Sequence, residues 1–120
     1  DILDRSDNCI YTKGKLVMIN QGLFGKTGIK QCVIQEIIHL AQKYDVQKVI
    51  LFGSRARGDY KLKSDIDLAF QGGKGNYFSF DVDEETTTLL QFDIIDLDKP
   101  IQDELLESIN REGIIIYEKV

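Results

Sequence analysis

The stretch "VILFGSRARGDYKLKSDIDLAF", residues 49–70, holds two short hydrophobic runs separated by a polar loop. The first run stops at Gly53-Ser54, ten residues follow, and Asp65-Ile66-Asp67 opens the second run. Short apolar runs bounded by such loops are typical of β-strands. Aspartate is depleted in strands, so two aspartates at the start of one indicate a functional constraint.

In a strand, alternate side chains face opposite sides of the sheet. The apolar residues of the run 66–70 then share the core face, and Asp65 and Asp67 share the other face. Their Cβ atoms are about 7 Å apart, and the two carboxylates repel each other unless a cation lies between them.

A later run, residues 92–96, predicts a third strand in which an aspartate again lies on the face opposite to the apolar residues. Its apolar residues Phe92 and Ile94 have core parity, and Asp93 has the opposite parity. Asp96 has core parity but ends the strand, so we expect it to turn to solvent. If this strand neighbours the second one, Asp65, Asp67 and Asp93 converge. Hard divalent ions such as Mg²⁺ take carboxylate oxygens together with substrate phosphates, so the sequence predicts a metal site.

The loop after the first strand has features of a phosphate-binding segment. Gly53 lacks a Cβ and lets the backbone approach a phosphate closely. Backbone N–H groups, the Ser54 hydroxyl and an arginine, Arg55 or Arg57, can then hold phosphate oxygens. The fixed offset from Gly53-Ser54 to the Asp-x-Asp pair makes this interpretation specific.

Together these residues resemble the nucleotidyltransferase superfamily of DNA polymerase β. Within it, the short chain is similar to the minimal nucleotidyltransferase (MNT) antitoxins, which are usually paired with a HEPN-type toxin. The resemblance covers about residues 29–118. It implies that Asp65 and Asp67 bind two Mg²⁺ ions and that Asp93 binds the catalytic metal and helps to activate an acceptor hydroxyl. It also implies nucleotide-binding residues, which are Gly53, Ser54, Arg55 and Arg57.

The activity implied by the resemblance is transfer of AMP from ATP to a hydroxyl of a partner protein, a tyrosine of a HEPN-type toxin. The predicted sheet and helices leave little of this sequence to enclose an acceptor, so we expect a second chain to complete the site or to be the acceptor. Two alternatives stay open. One is an antitoxin that binds its partner or a nucleotide without catalysis, and the other is a fragment of a small-molecule adenylyltransferase.

The remaining pattern predicts a mixed α/β domain at residues 29–120, with a sheet of about four strands flanked by about three helices. The predicted strands are 48–52, 66–70, 92–96 and 114–117, and the predicted helices are 28–44, 81–90 and 99–111. Residues 71–76 are expected to form a glycine-rich loop. Residues 1–28 are expected to be an irregular N-terminal extension, of which 1–17, ahead of the only methionine, would be an added or upstream segment.

Composition narrows the class of protein. The chain has 120 residues, 42% of them hydrophobic, which suits one folded domain. Its net charge of −5 divides into +5 over residues 1–63 and −10 over residues 64–120. A protein with a net negative charge does not attract the negatively charged backbone of nucleic acids, so we expect no direct nucleic-acid binding. No apolar run has membrane-spanning length and two cysteines are too few for a disulfide framework, so we expect a cytoplasmic protein.

Overall fold

The computed structural model describes residues 9–12, 15–18 and 23–119, and it describes side chains from residue 25 onward. The elements of the described residues follow one another along the chain in this order: β1 (Cys9–Thr12), β2 (Lys15–Met18), α1 (Leu23–Thr27), α2 (Gln31–Lys43), β3 (Lys48–Phe52), α3 (Gly53–Arg57), β4 (Ile66–Gln71), α4 (Gly75–Glu85), β5 (Phe92–Asp96), α5 (Asp103–Glu112) and β6 (Ile114–Glu118).

The principal sheet has four strands in the order β5-β4-β3-β6. Strand β3 pairs antiparallel with both β4 and β6, whereas β4 and β5 are parallel. This confirms the predicted mixed α/β class and the sheet of four strands. The parallel pair is possible because α4 and the segment after it carry the chain from the end of β4 back to the start of β5.

One face of the sheet forms the main core against α2 and α4. Ile66, Leu68 and Phe70 of β4 are all buried there, as the alternation of β4 predicts. The amphipathic helix α2 contributes a continuous apolar face, which consists of Val33, Ile34, Ile37, Ile38, Leu40 and Ala41. Burial of a large aliphatic side chain contributes roughly 1.5–3 kcal/mol to the free energy of folding, so this apolar face is a major source of the stability of the domain.

The other face of the sheet is only partly covered. Helix α5 packs there through Ile109, which is buried with Phe52 and Ala69 in a smaller cluster. Leu105 is half-buried and Leu106 is exposed, so Ile109 is the only fully buried residue among the described residues of α5. The rest of this face, towards the start of β4, is left for polar residues.

Several predictions about the helices need correction. Helix α4 spans Gly75–Glu85 and not 81–90, so part of the expected glycine-rich loop is helical. Helix α5 begins at Asp103, after Pro100, and not at 99. Two short helices, α1 and α3, lie in segments that were expected to be loops, which raises the helix number above the expected three.

The N-terminal region is not uniformly irregular as expected. Strands β1 and β2 pair antiparallel as a hairpin, with Cys9 opposite Met18. The remaining parts of the expected extension, 1–8, 13–14 and 19–22, lie outside the described residues. Among the helices that the structure describes, none is both long and apolar enough to cross a bilayer.

Candidate active site

The three aspartates predicted from the sequence lie at the start of β4 and β5. Asp67 of β4 and Asp93 of β5 are paired in the parallel register, and Asp65 immediately precedes β4. Asp67 is also paired with Phe52 of β3. Residues that are paired across neighbouring strands point to the same face of a sheet. Phe52 packs in the cluster beneath α5, so Asp67 and Asp93 lie on the face that α5 partly covers.

Asp67 is the most buried of the three carboxylates, and its pKa is raised. Its side chain is half-buried, whereas Asp65 and Asp93 are exposed. The pKa of Asp67 is raised from 3.8 to about 6, chiefly because the side chain is buried and further because Asp93 and Asp65 carry negative charges. Arg57 opposes the rise in this pKa without cancelling it. Asp67 is therefore held in surroundings that favour either a proton or a cation.

The oxygen-only donor set suits a hard divalent cation, because a positive charge between these carboxylates would offset their mutual repulsion. Within the described residues, however, no three His, Cys, Asp or Glu side chains form a complete metal site as they stand. Magnesium often keeps only one or two protein carboxylates and takes its other ligands from water and substrate phosphates. The residues therefore fit a magnesium ion that arrives with a phosphorylated substrate.

Gly53 and Asp67 are in direct contact. Gly53 is the first residue of α3 and has φ +77°, a left-handed conformation that disfavours residues with a side chain. A Cβ at this position would collide with the Asp67 carboxylate. The glycine is thus required by both its backbone conformation and the closeness of the acid, and Ser54 follows it half-buried at the same turn.

Arg57 lies at the last position of α3 and keeps a half-exposed guanidinium. Its Nε donates to Asp59 at 3.2 Å and its Nη1 donates to Glu112 at 3.0 Å. Arg57 also acts electrostatically on Asp67. The structure therefore places Arg57 and Gly53 beside Asp67, and Ser54 follows Gly53 in α3.

Arg55 corrects the expectation that it contacts phosphate. The side chain is 2% exposed, and its guanidinium donates to backbone carbonyls of Thr27 at 2.9 Å, Ser64 at 3.0 Å and Leu62 at 3.1 Å. It also lies over the ring of Tyr60, 4.7 Å from the centroid. Since these carbonyls occupy its donors, Arg55 is a structural residue that holds the loop leading to Asp65.

Glu112, the last residue of α5, is a site residue that the sequence analysis missed. Its side chain is 12% exposed, and its Oε2 accepts the backbone N–H of Gly53 at 2.8 Å as well as Nη1 of Arg57. Its charge also contributes to the raised pKa of Asp67. Glu112 is 59 residues away from Gly53 along the chain, so no local spacing could have indicated this contact.

The carboxylates lie at an open part of the surface. One cleft of about 400 Å³ lies between β5, α4 and the segment before α5, and is lined in part by Ile94, Asp96 and Lys99. A second, of about 370 Å³, lies along α2 beside His39 and Cys32. Neither cleft includes Asp67 or Asp93.

A comparison of the sequence with models of protein families identifies the class to which the chain belongs. The sequence model of the family described as "Polymerase beta, Nucleotidyltransferase" matches residues 35–120, and this chain belongs to that family. The match confirms the predicted resemblance to the nucleotidyltransferases of the DNA polymerase β type. It also confirms, at the level of the family, the prediction that the protein is a nucleotidyltransferase.

Two curated relatives come from Methanocaldococcus jannaschii. "Putative protein adenylyltransferase MJ0604" is 40% identical over 65 residues, which cover 52% of this chain and 63% of the relative. "Putative protein adenylyltransferase MJ1379" is 46% identical over 41 residues, which cover 34% of this chain and 41% of the relative. The matched segment thus spans less than two thirds of either relative.

Solved structures with the same fold include a toxin–antitoxin with AMP-PNP. Its TM-score is 0.59 at 22% identity, with 72% of this chain and 73% of that chain covered. A mutant form of the toxin–antitoxin MntA-HpeT aligns with a TM-score of 0.58 at 20% identity, with the same coverage of both chains. At these identities, the likeness establishes the fold alone.

Proposed function

We propose that this protein is a metal-dependent nucleotidyltransferase that transfers AMP from ATP to a hydroxyl group of a partner protein. The observation that carries the proposal is the in-register pair Asp67–Asp93 beside Gly53, on a face of the sheet that is open to solvent. The names of the two archaeal relatives support a protein as the acceptor.

The reaction is an in-line displacement at phosphorus. The acceptor oxygen forms a bond to the α-phosphorus of ATP, the bond from that phosphorus to the α,β-bridging oxygen breaks, and pyrophosphate leaves. The hydroxyl proton passes to solvent. Two bound Mg²⁺ ions would stabilise charge on the attacking and leaving oxygens.

The chain's own residues have distinct roles in this proposal. Asp65, Asp67 and Asp93 would hold the metal ions, with Asp93 on the acceptor side. Gly53 and Ser54 would bind the triphosphate through their backbone N–H groups and the Ser54 hydroxyl. Arg57 would neutralise phosphate charge.

The proposed partner is a HEPN-type toxin, and the proposed biological role is that of its antitoxin. The support is the likeness of fold to chains from two toxin–antitoxin structures. The open position of the carboxylates also favours an acceptor that arrives on another protein. Attachment of AMP to the toxin would then neutralise it.

The test is an incubation of the purified chain with ATP, Mg²⁺ and the partner that co-purifies with it, followed by intact mass measurement of both proteins. The proposal predicts a partner mass increased by one or more AMP groups, and no increase with Asp67→Asn. Tight complex formation without any AMP gain would instead favour a non-catalytic antitoxin. Activity only towards small molecules would favour an adenylyltransferase fragment.

A further inference from the structure

Glu112 bridges both ends of α3 with a single carboxylate oxygen. Oε2 accepts from the N–H of Gly53, the first residue of the helix, at 2.8 Å, and from Nη1 of Arg57, the last residue, at 3.0 Å. The Glu112 side chain is largely buried, at 12% exposure, so this carboxylate is held in place and not simply solvated nearby.

The two donors that Glu112 occupies are the ones that the proposed function assigns to the triphosphate of ATP. A carboxylate oxygen and a phosphate oxygen are equivalent acceptors for such donors, since both are anionic and both form charge-assisted hydrogen bonds. The N–H of Gly53 is one donor with one hydrogen. It cannot fully serve Glu112 and a phosphate oxygen at the same time.

We infer that Glu112 is an internal competitor for the triphosphate: it holds Gly53 and Arg57 in the free protein, and nucleotide binding displaces it. This inference rests on the proposed function, because it requires that the nucleotide uses these donors. Its consequence is that Glu112 lowers the affinity of the site for nucleotide.

A second contact indicates that loss of Glu112 would leave the site formed. Nε of Arg57 also donates to Asp59 at 3.2 Å, so the guanidinium keeps one partner when Nη1 is released. Gly53 keeps its position through the strand β3 that precedes it and through its contact with Asp67. Because the Arg57 side chain is half-exposed and pairs with Asp59 as well, its charge stays solvated and paired when Glu112 is released.

The experiment measures binding of the non-transferable probe α,β-methylene-ATP with Mg²⁺ by calorimetry. Glu112→Gln keeps the shape of the side chain and removes its charge, and we expect it to bind the probe about tenfold more tightly than the wild type. Glu107→Gln is the matched control. It removes an equal charge from the same helix, where Glu107 pairs with Arg111 at the surface, and its affinity should equal that of the wild type.

The outcomes separate this inference from the proposed function. If the wild type binds the probe and Glu112→Gln binds it equally or more weakly, the inference is overturned and the proposed function is not. If only Glu112→Gln binds, competition by Glu112 is supported in its strongest form. If neither binds, nucleotide binding at this site is wrong and both fail.

A measurement on the wild type covers the case in which Glu112→Gln does not fold. The side-chain carboxyl carbon of Glu112 should change its NMR chemical shift when saturating probe displaces it, together with the amide of Gly53. The carboxyl carbon of Glu107 should not move. An unchanged Glu112 signal at saturation would overturn the inference.

Discussion

Asp67 and Asp93 face each other across two parallel strands, paired in register on the same side of the sheet. Their mutual repulsion, added to the burial of Asp67, raises the pKa of Asp67 to about 6. A fold selected for stability alone would not keep a half-buried acid beside two others. Sites that are maintained against stability are characteristic of function.

Asp67→Asn is expected to stabilise the protein at neutral pH. The raised pKa means that the folded state holds the proton more tightly than the unfolded state does, where the pKa is near 3.8. Stability is therefore lost as pH rises between about 4 and 6, and the loss is complete above that range. The neutral amide escapes this loss, so the variant should gain about 1 kcal/mol at pH 8 after allowance for solvent screening.

Urea or thermal unfolding at several pH values between 4 and 8 checks this prediction. The difference between variant and wild type should be small at pH 4, grow up to about pH 6 and then stay constant. A gain of about 1 kcal/mol corresponds to a rise of roughly 4 °C in Tm for a domain of this size. A difference that is independent of pH would show that the charge of Asp67 is not the cause.

The sheet could be predicted closely from the sequence because its strands are short apolar runs bounded by loop residues, and in β4 and β5 an aspartate stands between apolar residues. Strands β3 and β5 have the predicted bounds, and β4 is one residue longer. The predicted helix 81–90 differs from the observed Gly75–Glu85 because the glycines of 71–76 indicate a loop where the helix in fact begins, and the β-branched threonines of 86–88 lie beyond its end. In the structure, the Thr86 hydroxyl donates to the carbonyl of Val82, and the helix ends at Glu85.

The carboxylates and the glycine of the candidate site follow from local sequence, whereas the partners of the arginines do not. Arg55 and Arg57 are two residues apart in one polar segment, and nothing in that segment distinguishes them. Tertiary structure does: Arg55 points to buried carbonyls and Arg57 to Glu112 of a distant helix. Such a difference depends on long-range packing and is invisible to spacing.

Arg55→Met should destabilise the fold by about 3 kcal/mol, because it removes the guanidinium that donates to the carbonyls of Ser64, Leu62 and Thr27. Arg111→Met is the matched control, since Arg111 is exposed and its pair with Glu107 is worth less than about 1 kcal/mol. Denaturant unfolding compares them. Equal losses for the two variants would contradict the structural role of Arg55.

Gly53→Ala should lose both stability and nucleotide transfer. The methyl group meets a backbone with positive φ and the carboxylate of Asp67. Gly58→Ala measures the cost of the positive φ alone, because Gly58 has φ +94° but no atom lies within 4 Å of the position that its Cβ would take. We expect Gly58→Ala to cost about 1 kcal/mol and Gly53→Ala to cost more than that. A larger cost at Gly58 would mean that the contact with Asp67 is unimportant.

Thermal stabilisation by Mg²⁺ with α,β-methylene-ATP should depend on the carboxylates of one face of the sheet only. A ligand at a hundred times its Kd stabilises the folded state by about 2.7 kcal/mol, which gives a readily measured rise in Tm. Asp67→Asn and Asp93→Asn should abolish this rise, because they remove the oxygens that would hold the metal ion. Asp96→Asn is the matched control: Asp96 ends the same strand as Asp93, and its Oδ1 accepts the backbone N–H of Asp98 at 2.9 Å. Its variant should keep the full rise, and loss of the rise in all three variants would place the ligand somewhere other than the Asp67–Asp93 face.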